Sequence, residues 1–132
     1  MHTIIVKEIK IMSDTKITVV TKTLPEFLDS MQFSGEYPKQ FESIHERFER
    51  IRMQDRPYLW EVMALCEEPC LYEYLNAIGI DVAMFALTTY NYVRERGNLA
   101  LAEIKLECDI APEKIFNSVI PIVIRSLKVF YE

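Results

Sequence analysis

The sequence predicts a mostly α-helical (α+β) fold in a single domain, residues 1–132: a β-hairpin over 1–23 on a compact bundle of six to seven short helices over 24–132. Three observations predict it. β-branched residues interleave with lysines and threonines in the first 23 residues, apolar residues recur at helical spacing after Thr23, and five of the six prolines stand where a helical pattern begins. A chain of 132 residues, 50% hydrophobic and 27% charged, can close one core and has the composition of a folded globule rather than a disordered segment.

The elements follow in order. Ile4, Val6 and Ile9 to Ile11, then Ile17, Val19 and Val20, form two strand-like runs around Ser13-Asp14, whose side chains favour turns. Thr23-Leu24-Pro25-Glu26 has capping-box form and predicts a first helix over Pro25 to Met31, closed by Gly35. Pro38 opens a second helix to about Met53, where Tyr37, Phe41, Ile44, Phe48 and Ile51 share one stripe. On its other side Glu46–Arg50 and Glu49–Arg52 are spaced for ion pairs. Pro57 opens a third helix to about Cys66, apolar around nearly its whole circumference and therefore expected to be buried on all sides. Pro69 starts a fourth, ended by Gly79 as a left-handed cap. Asp81 caps a fifth, Val82 to Arg96, stopped by Gly97; Asn98 caps a sixth, Leu99 to about Cys108. The last runs from Pro112 toward Tyr131 with Phe116, Ile120, Val123, Leu127 and Phe130 on one stripe, and Pro121 is expected to kink or split it.

Charge and composition exclude several functions. The net charge of -5 concentrates between Leu24 and Glu68, which carry five basic against ten acidic residues, so direct binding of nucleic acid is disfavoured. Three dispersed glycines, Gly35, Gly79 and Gly97, cannot build a phosphate-cradling loop. No apolar run reaches a membrane span, the N-terminus lacks the form of a signal peptide, and an odd count of three cysteines fits a reducing cytoplasm.

The constellations that could carry chemistry are each incomplete. Glu42-Ser43-Ile44-His45 has the Glu-x-x-His spacing of carboxylate-bridged di-iron bundles, but the second copy such sites need is missing and the other histidine is His2. Cys66, Cys70 and Cys108 with His45 could supply four zinc ligands, yet their spacing is not that of a finger or ribbon, and buried thiols are the simpler account. Cys70, after Pro69 at a helix start, is the candidate nucleophile, opposed by Glu67 and Glu68. No metal or cofactor is therefore expected. Arg47, Arg50, Arg52 and Arg56, with Arg94 and Arg96, could bind RNA or an acidic protein beside Tyr58; interleaved Glu46, Glu49 and Asp55 favour a salt-bridged solvated face.

Residues Ile104 to Ile115 resemble the middle of a helix-turn-helix, with Ile110 and Ile115 in the apolar slots. The resemblance implies a DNA-binding pair of helices near 99–120. Lys105 stands where a small residue is usual, Asp109 where the turn glycine is usual, and Phe116-Asn117-Ser118-Val119-Ile120 carries little to read a groove.

The expectation is a non-enzymatic interaction module: a small acidic inhibitor, immunity protein or virus-encoded accessory protein that binds a larger protein or nucleoprotein partner. Its contact residues are expected among Glu42, Glu46, Glu49, Asp55, Glu67, Glu68, Tyr72 and Tyr74. A nucleic-acid-binding regulator and a homo-oligomeric structural or assembly subunit are the alternatives.

Overall fold

Side chains that satisfy orphaned first-turn amides set the starts of two helices. Thr23 Oγ1 accepts from the Glu26 amide at 3.3 Å and its hydroxyl donates to Glu26 Oε1 at 2.9 Å, opening α1 (Leu24–Ser30). Asp81 Oδ1 accepts from the Met84 amide at 3.1 Å and opens α5 (Val82–Arg96). Between them lie a 3-10 turn (Lys39–Phe41), α2 (Glu42–Arg52), α3 (Leu59–Cys66) and α4 (Leu71–Ala77). After α5 come a strand (Glu103–Glu107) and α6 (Pro112–Phe130). This computed structural model describes residues 3–5, 17–18, 23–30, 36–101, 103–107 and 110–131. The turn at Ser13-Asp14, Gly35, His2 and Cys108 lie outside the described residues.

Two helices stop in the same backbone motif with different residues. At the end of α4 the Gly79 amide donates to Asn76 O and the Ile80 amide to Leu75 O, with Gly79 at φ +82°. At the end of α5 the Asn98 amide donates to Glu95 O and the Leu99 amide to Arg94 O, and the left-handed residue is Asn98, at φ +50°. Gly97 sits one residue earlier at φ −83°. It is needed for space: a Cβ there would lie 2.9 Å from Val93 O and 3.0 Å from Leu99 Cγ.

Two expected elements are corrected. The N-terminal hairpin is not formed, because β1 (Thr3–Ile5) and β2 (Ile17–Thr18) do not pair with each other. Both flank the later strand β3 (Glu103–Glu107), β1 parallel and β2 antiparallel to it. That strand also replaces the expected sixth helix, so no helix occupies 103–107 ahead of α6 and the helix-turn-helix geometry is absent there. The architecture is otherwise helical, with six α-helices among the described residues.

The core is a layer of apolar helix faces. α5 packs chiefly against α6 and also receives α1. The expected stripe on α2 is buried, at Phe41, Ile44, Phe48 and Ile51, and so are Phe116, Ile120, Val123 and Leu127 on α6. Phe130, the last member of that stripe, is exposed. Pro121 does not split α6, which stays helical across it with the proline on the exposed side. α3 departs from the expected burial on all sides: Leu59, Val62, Leu65 and Cys66 face inward, while Trp60 is turned to solvent.

Candidate functional site

The junction of α2 and α3 presents apolar surface. Tyr58 occupies the N-cap position of α3 with extended backbone (φ −65°, ψ 140°) and Trp60 lies in the first turn. Two positions apart on a regular helix would point their side chains to nearly opposite sides. The extended backbone of Tyr58 changes that direction, and its ring lies parallel to that of Trp60, with centroids 6.2 Å apart and planes at 15°. Tyr58 is 57% exposed, Trp60 48%, and Met53, which ends α2, 79%.

A hydrogen bond from α5 anchors this junction. The Tyr92 hydroxyl donates to Pro57 O, tying buried Pro57 to buried Tyr92. Burial raises the Tyr92 phenol above its ordinary value, while a hydrogen bond from Arg96 and the charges of Arg96 and Arg56 pull the other way. Both arginines are exposed, and neither forms an ion pair with a carboxylate among the described residues. The Tyr92–Pro57 bond thus ties the α2–α3 junction, which carries Arg56, Tyr58 and Trp60, to the end of α5 that carries Arg96.

The six expected acidic contacts separate into two groups. Glu49 pairs with Arg52 at 2.9 Å, Glu68 with Arg47 at 2.9 Å and Glu67 with Lys128 at 3.4 Å. Glu42, Glu46 and Asp55 are exposed and make no ion pair among the described residues; the expected Glu46–Arg50 pair does not form. Tyr74, expected at the surface, is fully buried, while Tyr72 is half-buried with its ring edge-on to Phe116 at 5.4 Å. Tyr72 and Glu68 line a cleft of about 320 Å³ between the α3–α4 connection and the start of α6, together with Glu73, Glu113 and Cys66. Burial, with the charge of Glu67 second, pushes the Cys66 thiol up to about 12, so it keeps its proton at neutral pH and is no nucleophile. Cys70 is exposed.

His45 is held by structure rather than arranged as a ligand. Tyr37 stacks on it with centroids 3.9 Å apart, its Nδ1 lies 2.7 Å from the Tyr74 hydroxyl, and its Nε2 lies 3.9 Å from Glu49. Glu42, its partner in the Glu-x-x-His pattern, is exposed. No group of three or more His, Cys, Asp or Glu is arranged to hold a metal ion among the described residues, and no helix there is long and apolar enough to cross a membrane.

Sequence reasoning missed Tyr58 and Trp60 as a surface pair and missed the tie between the α2–α3 junction and the end of α5. Compared with protein-family models, with curated proteins and with solved structures, the chain matches none of them.

Proposed function

We propose that this chain is a non-enzymatic protein-interaction module that binds a larger protein through the surface formed by Met53, Tyr58 and Trp60. One observation carries the reading: a stacked Tyr–Trp pair stands half in solvent on a chain whose other large aromatics are mostly buried. Tryptophan, tyrosine and arginine are the residues enriched at the energetic centres of interfaces. Fully burying a Trp and a Tyr removes about 150–250 Å² each; with roughly half of that still open here, a partner covering both would gain about 5 kcal/mol before the costs of association. The acidic residues, half of them held in ion pairs, would steer and orient rather than supply most of that energy.

The test is affinity purification from the source cell with quantitative mass spectrometry, comparing the wild-type chain with the double variant Tyr58→Ala/Trp60→Ala. The expected result is a co-purifying protein depleted by about tenfold or more in the variant. Circular dichroism and the urea midpoint of the variant should match the wild type, because neither side chain is in the core. An unchanged set of co-purifying proteins with a folded variant overturns the reading, and depletion of tagged second copies alone assigns the surface to self-association.

A further inference from the structure

The Tyr92–Pro57 hydrogen bond fixes residues 56 to 58 against α5 one turn ahead of Arg96. It ties the α2–α3 junction, where Arg56 precedes Pro57 and the exposed Tyr58 and Trp60 follow it, to the end of α5 that carries Arg96, and the charges of both arginines act on the Tyr92 hydroxyl. We infer that the partner segment seated on Tyr58 and Trp60 is an acidic peptide whose carboxylates pair with Arg56 and Arg96 while an apolar side chain covers the two rings. This inference rests on the interaction reading of the same surface and names the chemistry of its partner.

The argument is one of charge complementarity. Arg47, Arg52 and Lys128 each have a carboxylate partner within the chain. Arg56 and Arg96 have none among the described residues, although Asp55 and Glu95 adjoin them in sequence and are exposed. The charges of Arg96 and Arg56 both act on the Tyr92 hydroxyl and favour its ionised form. A guanidinium offers several donors in a fixed planar fork that suits a carboxylate. A single-stranded nucleic acid could also stack on the rings, but it brings one negative charge per nucleotide. Two arginines, each next to an acidic residue in the sequence, on a chain of net charge -5, neutralise too few phosphates to hold it. An acidic segment of a protein requires only two carboxylates at the right spacing.

The test pans a random dodecapeptide display library against the full chain, then titrates the selected peptide while following the fluorescence of Trp60, the sole tryptophan. The expected consensus is Asp or Glu beside an aromatic or aliphatic residue. The titration should shift Trp60 emission, weaken between about 50 and about 300 mM salt, and weaken by about tenfold or more in Arg56→Glu and in Arg96→Glu. Arg56→Gln, which leaves the Tyr92–Arg96 contact intact, serves as the second variant and should give a smaller loss at an unchanged unfolding midpoint. A basic consensus, no selection, or affinity untouched by both charge reversals overturns the inference. Tighter binding of oligo(dT) than of the selected peptide overturns it in favour of nucleic acid. Uncharged peptides whose binding is lost in Trp60→Ala overturn the acidic assignment and leave the interaction reading standing, whereas that reading fails on its own if Tyr58→Ala/Trp60→Ala retains every co-purifying protein.

Discussion

The Tyr74 hydroxyl lies 2.7 Å from His45 Nδ1, joining a fully buried group on α4 to a partly exposed imidazole on α2. Neutral histidine can accept at Nδ1, leaving the Nε2 proton toward Glu49. The two partners are unequal. Losing the Tyr74 hydroxyl leaves Nδ1 on a side chain that water reaches, whereas losing the imidazole leaves a hydroxyl stranded in the core. Tyr74→Phe is therefore expected to cost about 1 kcal/mol and His45→Phe, which retains a ring against Tyr37, about 2 to 3 kcal/mol. The double variant should recover part of the sum, as contacting residues do in a mutant cycle. Urea unfolding measures all three, and a His45→Phe cost no larger than that of Tyr74→Phe contradicts the asymmetry.

Alkaline pH should weaken the fold in a defined order. The Cys66 thiol stands at about 12 in the folded chain against 9.0 unexposed to such burial, so the native state holds this proton more tightly than the unfolded state does. Its contribution is complete below pH 9 and is lost as the pH rises toward 12, at no more than about 1.4 kcal/mol per pH unit for one proton. Tyr74, Tyr90 and Tyr92 are also raised from 10.0, chiefly by burial, and add the same sign of dependence from about pH 10 upward. Stability measured against pH should start to fall near 9, and Cys66→Ala should flatten that first portion while leaving the steeper tyrosine portion. With a thiol reagent near neutral pH, peptide mapping should find Cys70 modified in the native chain and Cys66 modified only on unfolding.

Gly79 and Gly97 both stop helices, yet they should respond differently to substitution. At Gly79 the constraint is the backbone, φ +82° in open space, so Gly79→Ala should cost about 1 to 2 kcal/mol and Gly79→Asn less. At Gly97 the backbone is ordinary and the constraint is contact with Val93 O, Leu99 and Leu59, so Gly97→Ala should cost about 1 to 3 kcal/mol and asparagine should give no relief. Asn98→Gly, at the left-handed position, should be neutral or stabilising. Unfolding midpoints that rank Gly97→Asn milder than Gly97→Ala would refute this division.

What could be read in the sequence was local. Thr23, Asp81 and Gly79 cap helices as their side chains or backbone dictate, and the stripe from Phe41 to Ile51 faces the core because a four-three spacing has one helical solution. Glu103-Ile104-Lys105-Leu106-Glu107 carried a strict two-residue alternation, but its helix-favouring residues behind Asn98 read as a helix; pairing with both N-terminal segments decided for a strand. No local pattern reveals that β1 and β2 are separated by a strand about 85 residues further along. The candidate site was illegible for a related reason. Hydropathy scores Trp60 and Leu59 alike as apolar, and only the packed structure separates the one turned inward from the one left open to a partner. The segments that carry Arg56 and Arg96 are joined by a hydrogen bond across 35 residues, between Tyr92 and Pro57.

Thr88 and Thr89 are adjacent, both buried, and opposite in their consequences. The Thr88 hydroxyl donates to Met84 O at 2.7 Å, one turn back along α5. The Thr89 hydroxyl is buried with no hydrogen-bond partner among the described residues, in the helix that packs most extensively against α6. An unsatisfied buried hydroxyl costs desolvation without return, so replacing it by a methyl group of similar size should help. Thr89→Val is expected to stabilise the fold by about 1 to 2 kcal/mol, with the added advantage that valine fits the rotamer a helix prefers. Thr88→Val removes a made bond and should be neutral or destabilising by up to about 1 kcal/mol. Thermal and urea unfolding of the two single variants decide the point: a destabilised Thr89→Val would mean that its hydroxyl is satisfied in solution, by water entering between α5 and α6.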